Sequence, residues 1–275
     1  MIHWLLGVYL AAAPAGGVVI VADSSAAPYQ RAVDALRQQS GQVELLQIDD
    51  PALDERLTRS AEVWVALGAR SARRLAQSQV PNAAAMLLQA TDVPEGIAAV
   101  TLDVPAYKQL LWIRTAFTQR RRVVVLRQRS GPVQEAPVLA AANKLQLTVH
   151  WVEIDSPGEA VPALEKALRG HGRDSVLWLV PDPVAVNSDT VSPLAQAALA
   201  ARVPVVGFSP YFLQIGALAA VKIDSTDAAR QALRLAKSGT AKVVPPDAAH
   251  LVVDGRLAER LGIAVQAGEG VEVRR

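Results

Sequence analysis

The chain reads as an α/β protein made of two successive lobes, each built on a parallel sheet. From Gly17 onward short apolar runs alternate with helical patterns, the signature of parallel strands joined by crossover helices. The helical rhythm breaks between Pro94 and Pro105, and a second series of the same kind follows. Two strands of the second series, Val176 to Val180 and Val203 to Gly207, run into Pro181-Asp182-Pro183 and Phe208-Ser209-Pro210-Tyr211, which places polar and aromatic groups on one sheet edge.

In the first lobe, strand Val18 to Ala22 leads through an Asp23-Ser24-Ser25 turn into a helix from about Tyr29, with Tyr29, Val33 and Leu36 on one face. Strand Val43 to Ile48, a helix near Asp54 to Arg59 and strand Glu62 to Leu67 come next. Gly68-Ala69-Arg70-Ser71 opens a helix through Ala76, and Ala84 to Leu88 completes a sheet of about four strands. Ala98 to Leu102 is expected to leave this sheet for another.

The second series pairs helix Tyr107 to Gln119 with strand Val123 to Leu126, and helix Pro137 to Lys144 with strand Thr148 to Ile154. Helix Glu159 to Arg169 feeds strand Ser175 to Val180, and helix Thr190 to Ala201 feeds strand Val203 to Gly207. Beyond Tyr211 come strand Leu218 to Ile223, helix Thr226 to Lys237, a Val243-Val244-Pro245-Pro246 link, strand His250 to Val253, and helix Arg256 to Leu261 stopped by Gly262. These closing elements must pack back onto the first two cores, and a cleft between the lobes is expected.

Composition excludes several classes of function. With 275 residues, 51% of them hydrophobic, the chain has ample material for real cores and is not a disordered protein. Its 28 basic and 26 acidic residues nearly balance, and aromatics are only 4%, so no nucleic-acid surface is expected. The cluster Arg120-Arg121-Arg122 suits the solvated end of a helix. Cysteine is absent, which removes disulfides, thiol catalysis and a lipid-anchored lipoprotein together. His3, His150, His171 and His250 are scattered singly, with no metal-ligand spacing.

Residues 1–15 resemble a short secretory leader: an apolar run from Trp4 to Ala13, then Ala13-Pro14-Ala15 as a small-residue cleavage site. The n-region carries no Lys or Arg, and the apolar stretch continues to Ala22, so an uncleaved membrane anchor and a cytoplasmic protein are the alternatives. Pro14, Gly16 and Gly17 favour the cleaved leader and a periplasmic location.

Several motifs then resemble the substrate-binding proteins of ABC-type uptake systems, the type I periplasmic binding proteins. Val65-Ala66-Leu67-Gly68-Ala69-Arg70-Ser71-Ala72 is similar to that family's strand, glycine and helix start. Leu102-Asp103-Val104-Pro105 through Leu126, Leu179-Val180-Pro181-Asp182-Pro183 with Asn187, and Val203 to Ser209 with Gly216-Ala217-Leu218-Ala219 are similar to further segments of it. The resemblance runs from Val18 to Ala264, and its last two motifs are the specific ones.

That resemblance implies two Rossmann-like lobes joined by a three-crossover hinge, with crossings near Asp103, Asp224 and Val244. The lobes would comprise 17–103 with 225–242, and 104–224 with 243–275. A small molecule would sit between the lobes and close the hinge, and an inner-membrane permease would read the closed form. By position, the first lobe offers Ser24, Ser25, Gly68, Ala69, Arg70 and Ser71, and the second offers Asp182, Asn187, Phe208, Ser209, Tyr211 and Asp224.

The N–H groups opening the helix after Gly68 can hold a carboxylate or another anion, with Arg70 adding a bidentate donor. Asp182 beside an aromatic pair suits an ammonium group. An amino-acid-like zwitterion or a small organic anion is thus the expected ligand, bound by a monomer without cofactor or metal. Asp182→Ala and Phe208→Ala are expected to weaken binding and leave thermal stability nearly unchanged. The alternatives at single residues are structural: Arg70 facing solvent with Arg73 and Arg74, Pro181-Asp182-Pro183 as a rigid turn with Asp182 capping the next helix, and Phe208 and Tyr211 packing in a core. At the level of function they are an accessory or sensory binding protein and a two-lobed hinged enzyme of the tetrapyrrole-synthase type. Catalysis finds little support, since neither a Gly-x-Ser-x-Gly elbow nor a phosphate-binding Gly-rich loop occurs.

Overall fold

Strands buried on both faces need apolar residues at every position, and this requirement organises the fold. A computed structural model of the protein describes residues 17–58 and 63–275. The expected leader lies outside the described residues, as do Arg59 and Glu62 at the ends of an expected helix and strand. Among the described residues no helix is long and apolar enough to cross a membrane.

The chain begins with β1 (Val18–Ala22), α1 (Ala27–Gln39), β2 (Val43–Gln47), α2 (Leu53–Leu57), β3 (Val63–Leu67), α3 (Ala69–Gln77), β4 (Ala83–Met86) and β5 (Ala98–Val100). The second series is α4 (Ala106–Ala116), β6 (Arg122–Gln128), α5 (Glu135–Lys144), β7 (Thr148–Ile154), α6 (Ala160–Leu168), β8 (Ser175–Trp178), α7 (Val191–Ala200), β9 (Val205–Gly207), α8 (Tyr211–Gln214) and β10 (Ala219–Ile223). It closes with α9 (Ser225–Ser238), β11 (Val243–Val244), β12 (Ala249–Asp254), α10 (Gly255–Leu261) and β13 (Val271–Arg274).

These elements form two units, divided after Asp103, after Asp224 and after Asp247. The first carries a six-stranded parallel sheet of order β11-β5-β4-β3-β1-β2. Val19, Val21, Trp64 and Ala66 cover one face against Ala72 and Leu75 of α3, while Ala84 and Ala98 meet Ala236 of α9 on the other. Every residue of β1 is buried, as a strand covered by helices on both sides requires.

The second unit carries a seven-stranded sheet of order β13-β12-β10-β9-β8-β6-β7. Val123, Val125, Val176 and Trp178 pack with Leu110 and Ile113 of α4 and with Phe117 just past its end. On the opposite face Val124, Leu126, Leu177 and Val205 pack with Leu164 of α6 and Leu194 of α7. Five strands run parallel, whereas β12 is antiparallel to β10 and carries β13 alongside it in parallel.

Three expectations are corrected. Ala98 to Leu102 does not leave the first sheet: β5 pairs with β4 and with β11, which widens that sheet from about four strands to six. The third crossing lies after Asp247 rather than near Val244, and the segment 243–247 belongs to the first unit. Val243 and Val244 pair with Ala99 and Val100, and the Gln231 side chain donates to the Pro245 carbonyl (2.9 Å) and accepts from the Asp247 N–H (3.1 Å). The closing segment ends in β13, which extends the second sheet beyond the expected closing strand and helix.

Gly207 ends β9 because no side chain fits there: a Cβ would lie 2.3 Å from Cβ and Cγ of Phe212, which folds back over the strand end. Gly207→Ala is expected to lower stability by about 1–3 kcal/mol through overpacking, measured by urea denaturation.

Candidate functional site

In a parallel sheet all strands end at one edge, so the loops there collect the side chains free to meet a ligand. In the first unit these loops follow β1 and β3. Asp23, directly after β1, donates its N–H to the Leu67 carbonyl (3.0 Å) and turns its carboxylate onto the start of α3. Its Oδ2 accepts from the N–H of Arg70 (2.8 Å), and its Oδ1 accepts from the N–H (2.6 Å) and the hydroxyl (2.5 Å) of Ser71. The α3 donors expected to hold a ligand anion are therefore satisfied by an internal carboxylate, in the manner of an N-cap supplied from a neighbouring strand.

Gly68 makes this approach possible. Its φ of +99° lies in the region open to glycine, and a Cβ there would meet Asp23 Oδ2 at 2.4 Å. Ser71 is fully buried, so it is a fold residue rather than a ligand contact, and Ala69 beside it is half-buried. The exposed Arg70 side chain bonds Asp49 (2.9 Å), while Arg74 pairs with Asp54. Ser24 accepts from the N–H of Ala26 (3.0 Å) at the entry to α1, and Ser25 is exposed. Burial, then the Asp23 carboxylate, raises the Tyr29 phenol above its ordinary range.

In the second unit Asp182 is 1% exposed, and its carboxylate faces backbone. Oδ1 accepts from the N–H groups of Val184 (3.0 Å) and Ala185 (2.8 Å), and Oδ2 accepts from that of Gln128 (2.8 Å) at the end of β6. Gly131 lets the β6 loop close in, since a Cβ there would lie 2.7 Å from Oδ2. The ammonium role expected of Asp182 gives way to a structural one, because its charge is spent on three backbone donors. Asn187 is similarly committed: its amide donates to the carbonyls of Pro183 and Val184 (both 3.1 Å) and accepts from the N–H groups of Asp189 (3.0 Å) and Thr190 (3.2 Å).

The loop after β9 differs. Phe208 is half-buried and meets Phe212 edge to face at 4.6 Å, Ser209 is half-buried, and Tyr211 is 56% exposed. Phe208 and Tyr211 thus flank Phe212, the one ring of the three that belongs to the core. Because β10 runs parallel to β9, the exposed Asp224 sits at the same edge.

Two features escaped the sequence reading. Tyr107, 46% exposed, opens α4 at this edge of the second sheet, placed there because α4 runs antiparallel to the strands. Arg127, 92% buried, donates to Glu153 (2.8 Å) and to Glu135, and lies 4.8 Å from the centre of the Trp151 ring. It ties the loop after β6 to β7. A single arginine in the run Val123 to Gln128, opposite the alternating Trp151-Val152-Glu153, is the signal that points to it. Among the described residues no three His, Cys, Asp or Glu side chains gather as a metal cluster.

Asp182→Ala is expected to lower stability by about 3 kcal/mol or more in chemical denaturation, because it leaves three backbone donors without their acceptor. Ser24→Ala, at an exposed turn, is expected to cost under about 1 kcal/mol in the same assay.

No family model matches the sequence, and no curated protein matches it significantly. The structure has many solved likenesses. A ligand-free, open substrate-binding protein with adhesive properties from Clostridium difficile superposes with a TM-score of 0.69 at 14% identity, over 94% of this chain and 99% of the other. An ABC domain in complex with L-Trp from Streptococcus pneumoniae gives 0.58 at 14% identity, over 94% and 100%. A periplasmic ribose ABC transporter protein from Conexibacter woesei gives 0.55 at 12% identity, over 90% and 95%. At these identities the likeness is one of architecture, and it covers nearly the whole of each chain: the protein has the two-unit α/β fold of the type I periplasmic binding proteins.

Proposed function

We propose that the protein is a non-catalytic periplasmic solute-binding protein that captures a small molecule between its two lobes for an ABC-type uptake system. The observation that carries this reading is the loop after β9, where Tyr211 stays 56% exposed beside half-buried Phe208 and Ser209 at the strand-end edge. Large aromatic surface left open at that edge favours a ligand-bearing loop. The fold shared with proteins described as substrate-binding and ABC transporter components supports the same reading.

In this proposal Phe208 and Tyr211 cover the body of the ligand, and Ser24, Ser25 and Ser209 supply hydroxyls. Arg70 meets a carboxylate in exchange for its exposed partner Asp49, and Asp224 brings negative charge to the aromatic edge. The ligand class is an amino-acid-like molecule or a small organic anion. Asp23, Ser71, Asp182 and Asn187 hold the loops in place. Closure on the ligand is the form presented to an inner-membrane permease, and the working unit is a monomer exported with the aid of residues 1–15.

The test is native mass spectrometry of the protein purified from a periplasmic extract, before and after mild unfolding and refolding. A small mass lost on refolding supports the reading and gives the ligand class. An unliganded protein with no thermal shift across amino acids, sugars and organic acids would point to an accessory role instead. With a ligand in hand, Tyr211→Ala is expected to weaken binding about tenfold by calorimetry and to leave the melting temperature within a few degrees.

A further inference from the structure

The opposite edge of the second sheet has a different chemistry. There β6, β7, β8 and β9 begin, and α4, α5, α6 and α7 end. Arg120, Arg121 and Arg122 lead into β6, Arg169 and Arg173 lie between α6 and β8, and Arg202 lies between α7 and β9. In the connections that enter these four strands Asp174 is the sole carboxylate, and α10 carries Arg256 and Arg260 against Glu259.

Part of this charge has a structural use. Four helix C-termini contribute about half a negative charge each, about two in all, and Asp174 adds one. Six guanidinium groups exceed that by about three positive charges. Arg120 is largely spent: it donates to the carbonyls of Gly172 (2.8 Å), Ser175 (2.7 Å) and Arg202 (3.0 Å). These bonds clamp together the two connections that carry Arg173 and Arg202. Gly172 packs so closely on the end of α7 that a Cβ would lie 2.7 Å from the Ala201 carbonyl oxygen.

Arg173 and Arg202 are both exposed, and among the described residues neither guanidinium has an ion-pair or hydrogen-bond partner. They line two adjoining hollows, of about 450 Å³ and about 260 Å³, with Arg120 in the wall of the smaller. Neighbouring cations add to one another's repulsion: burial first, then Arg122 and His171, lower the affinity of His150 for its proton. Charge is also uneven along the chain, since the second unit holds 17 Lys and Arg against 13 Asp and Glu, and the first 11 against 13.

We propose that this edge of the second unit is an anion site, with Arg173 and Arg202 gripping the phosphoryl oxygens of an anionic ligand. Two guanidinium forks on a clamped backbone suit phosphoryl oxygens, which each fork can engage bidentately. The site is separate from the strand-end loops and independent of what they bind.

The experiment titrates the full chain with pyrophosphate by calorimetry at low salt, and sediments it with phosphatidylcholine vesicles with and without phosphatidylglycerol. Saturable binding that fades as sodium chloride rises is expected. Binding to pyrophosphate marks a free anion as the ligand, and binding only to phosphatidylglycerol vesicles marks a lipid headgroup. Arg173→Ala and Arg202→Gly are each expected to weaken binding about tenfold, the loss of a charge-assisted contact. Arg202→Gly suits the backbone, whose φ of +53° at that position favours glycine, so folding is preserved. Arg230→Ala, which removes an exposed charge in the first unit, serves as control. Binding of neither probe, binding unchanged in the double variant, or an equal loss in the Arg230 control would overturn the proposal.

Discussion

Two aspartates, one in each unit, lock together loops at the edge where the parallel strands end. Each follows a buried parallel strand, and each turns its carboxylate away from solvent onto the backbone of a neighbouring loop. Asp23 joins the end of β1 to the start of α3, and Asp182 joins the turn after β8 to the end of β6. The need is general: a parallel sheet brings helix starts and strand ends to one edge, where backbone N–H groups lack ladder partners. A carboxylate satisfies two or three of them at once and is stabilised by them in return. Gly68 and Gly131 complete the arrangement, since a methyl group at either would collide with the aspartate.

This explains which parts of the site were legible in sequence. Apolar runs such as Val18 to Ala22 and Val123 to Leu126 announce strands covered on both faces, because they are short, rich in β-branched residues and bounded by polar or turn residues. Strand-end loops follow from strand order. What sequence does not display is where a carboxylate points: Asp182 reads equally as a partner for an ammonium group or as a cap, and the choice depends on Gln128, fifty-four residues away. Val243-Val244 fails for a related reason, since two residues between polar and proline neighbours carry no periodicity, and only their pairing with β5 makes them a strand. Phe208 follows β9 directly and Tyr211 opens α8, and their unequal burial separates packing from display.

The locking aspartates also bear on how the two edges of the second sheet divide their work. At the strand-end edge Asp182 is buried on backbone donors and Arg127 is held between Glu135 and Glu153, so the open surface beside β9 is aromatic, with the exposed Asp224 at the end of the neighbouring strand. A loop of that kind gains most from burying apolar surface, with polar groups setting orientation. At the strand-start edge the helix C-termini draw arginines in, and Arg120 donates to three backbone carbonyls. Arginine there is first a device for satisfying backbone.

The surplus is what separates a structural device from a binding surface. Arg120 completes its bonds within the fold, whereas Arg173 and Arg202 stand on the segments it clamps and keep their own forks turned to solvent. Holding Arg202 at a positive φ costs about 1 kcal/mol that glycine would avoid, so the position is not explained by backbone preference. An unpaired guanidinium held beside another raises the energy of the unliganded protein through like-charge repulsion, and an anion between them relieves it. The same unit therefore presents an aromatic segment at one end of its strands and a cationic one at the other, and the cationic one is carried by backbone that the half-buried Arg120 has already fixed.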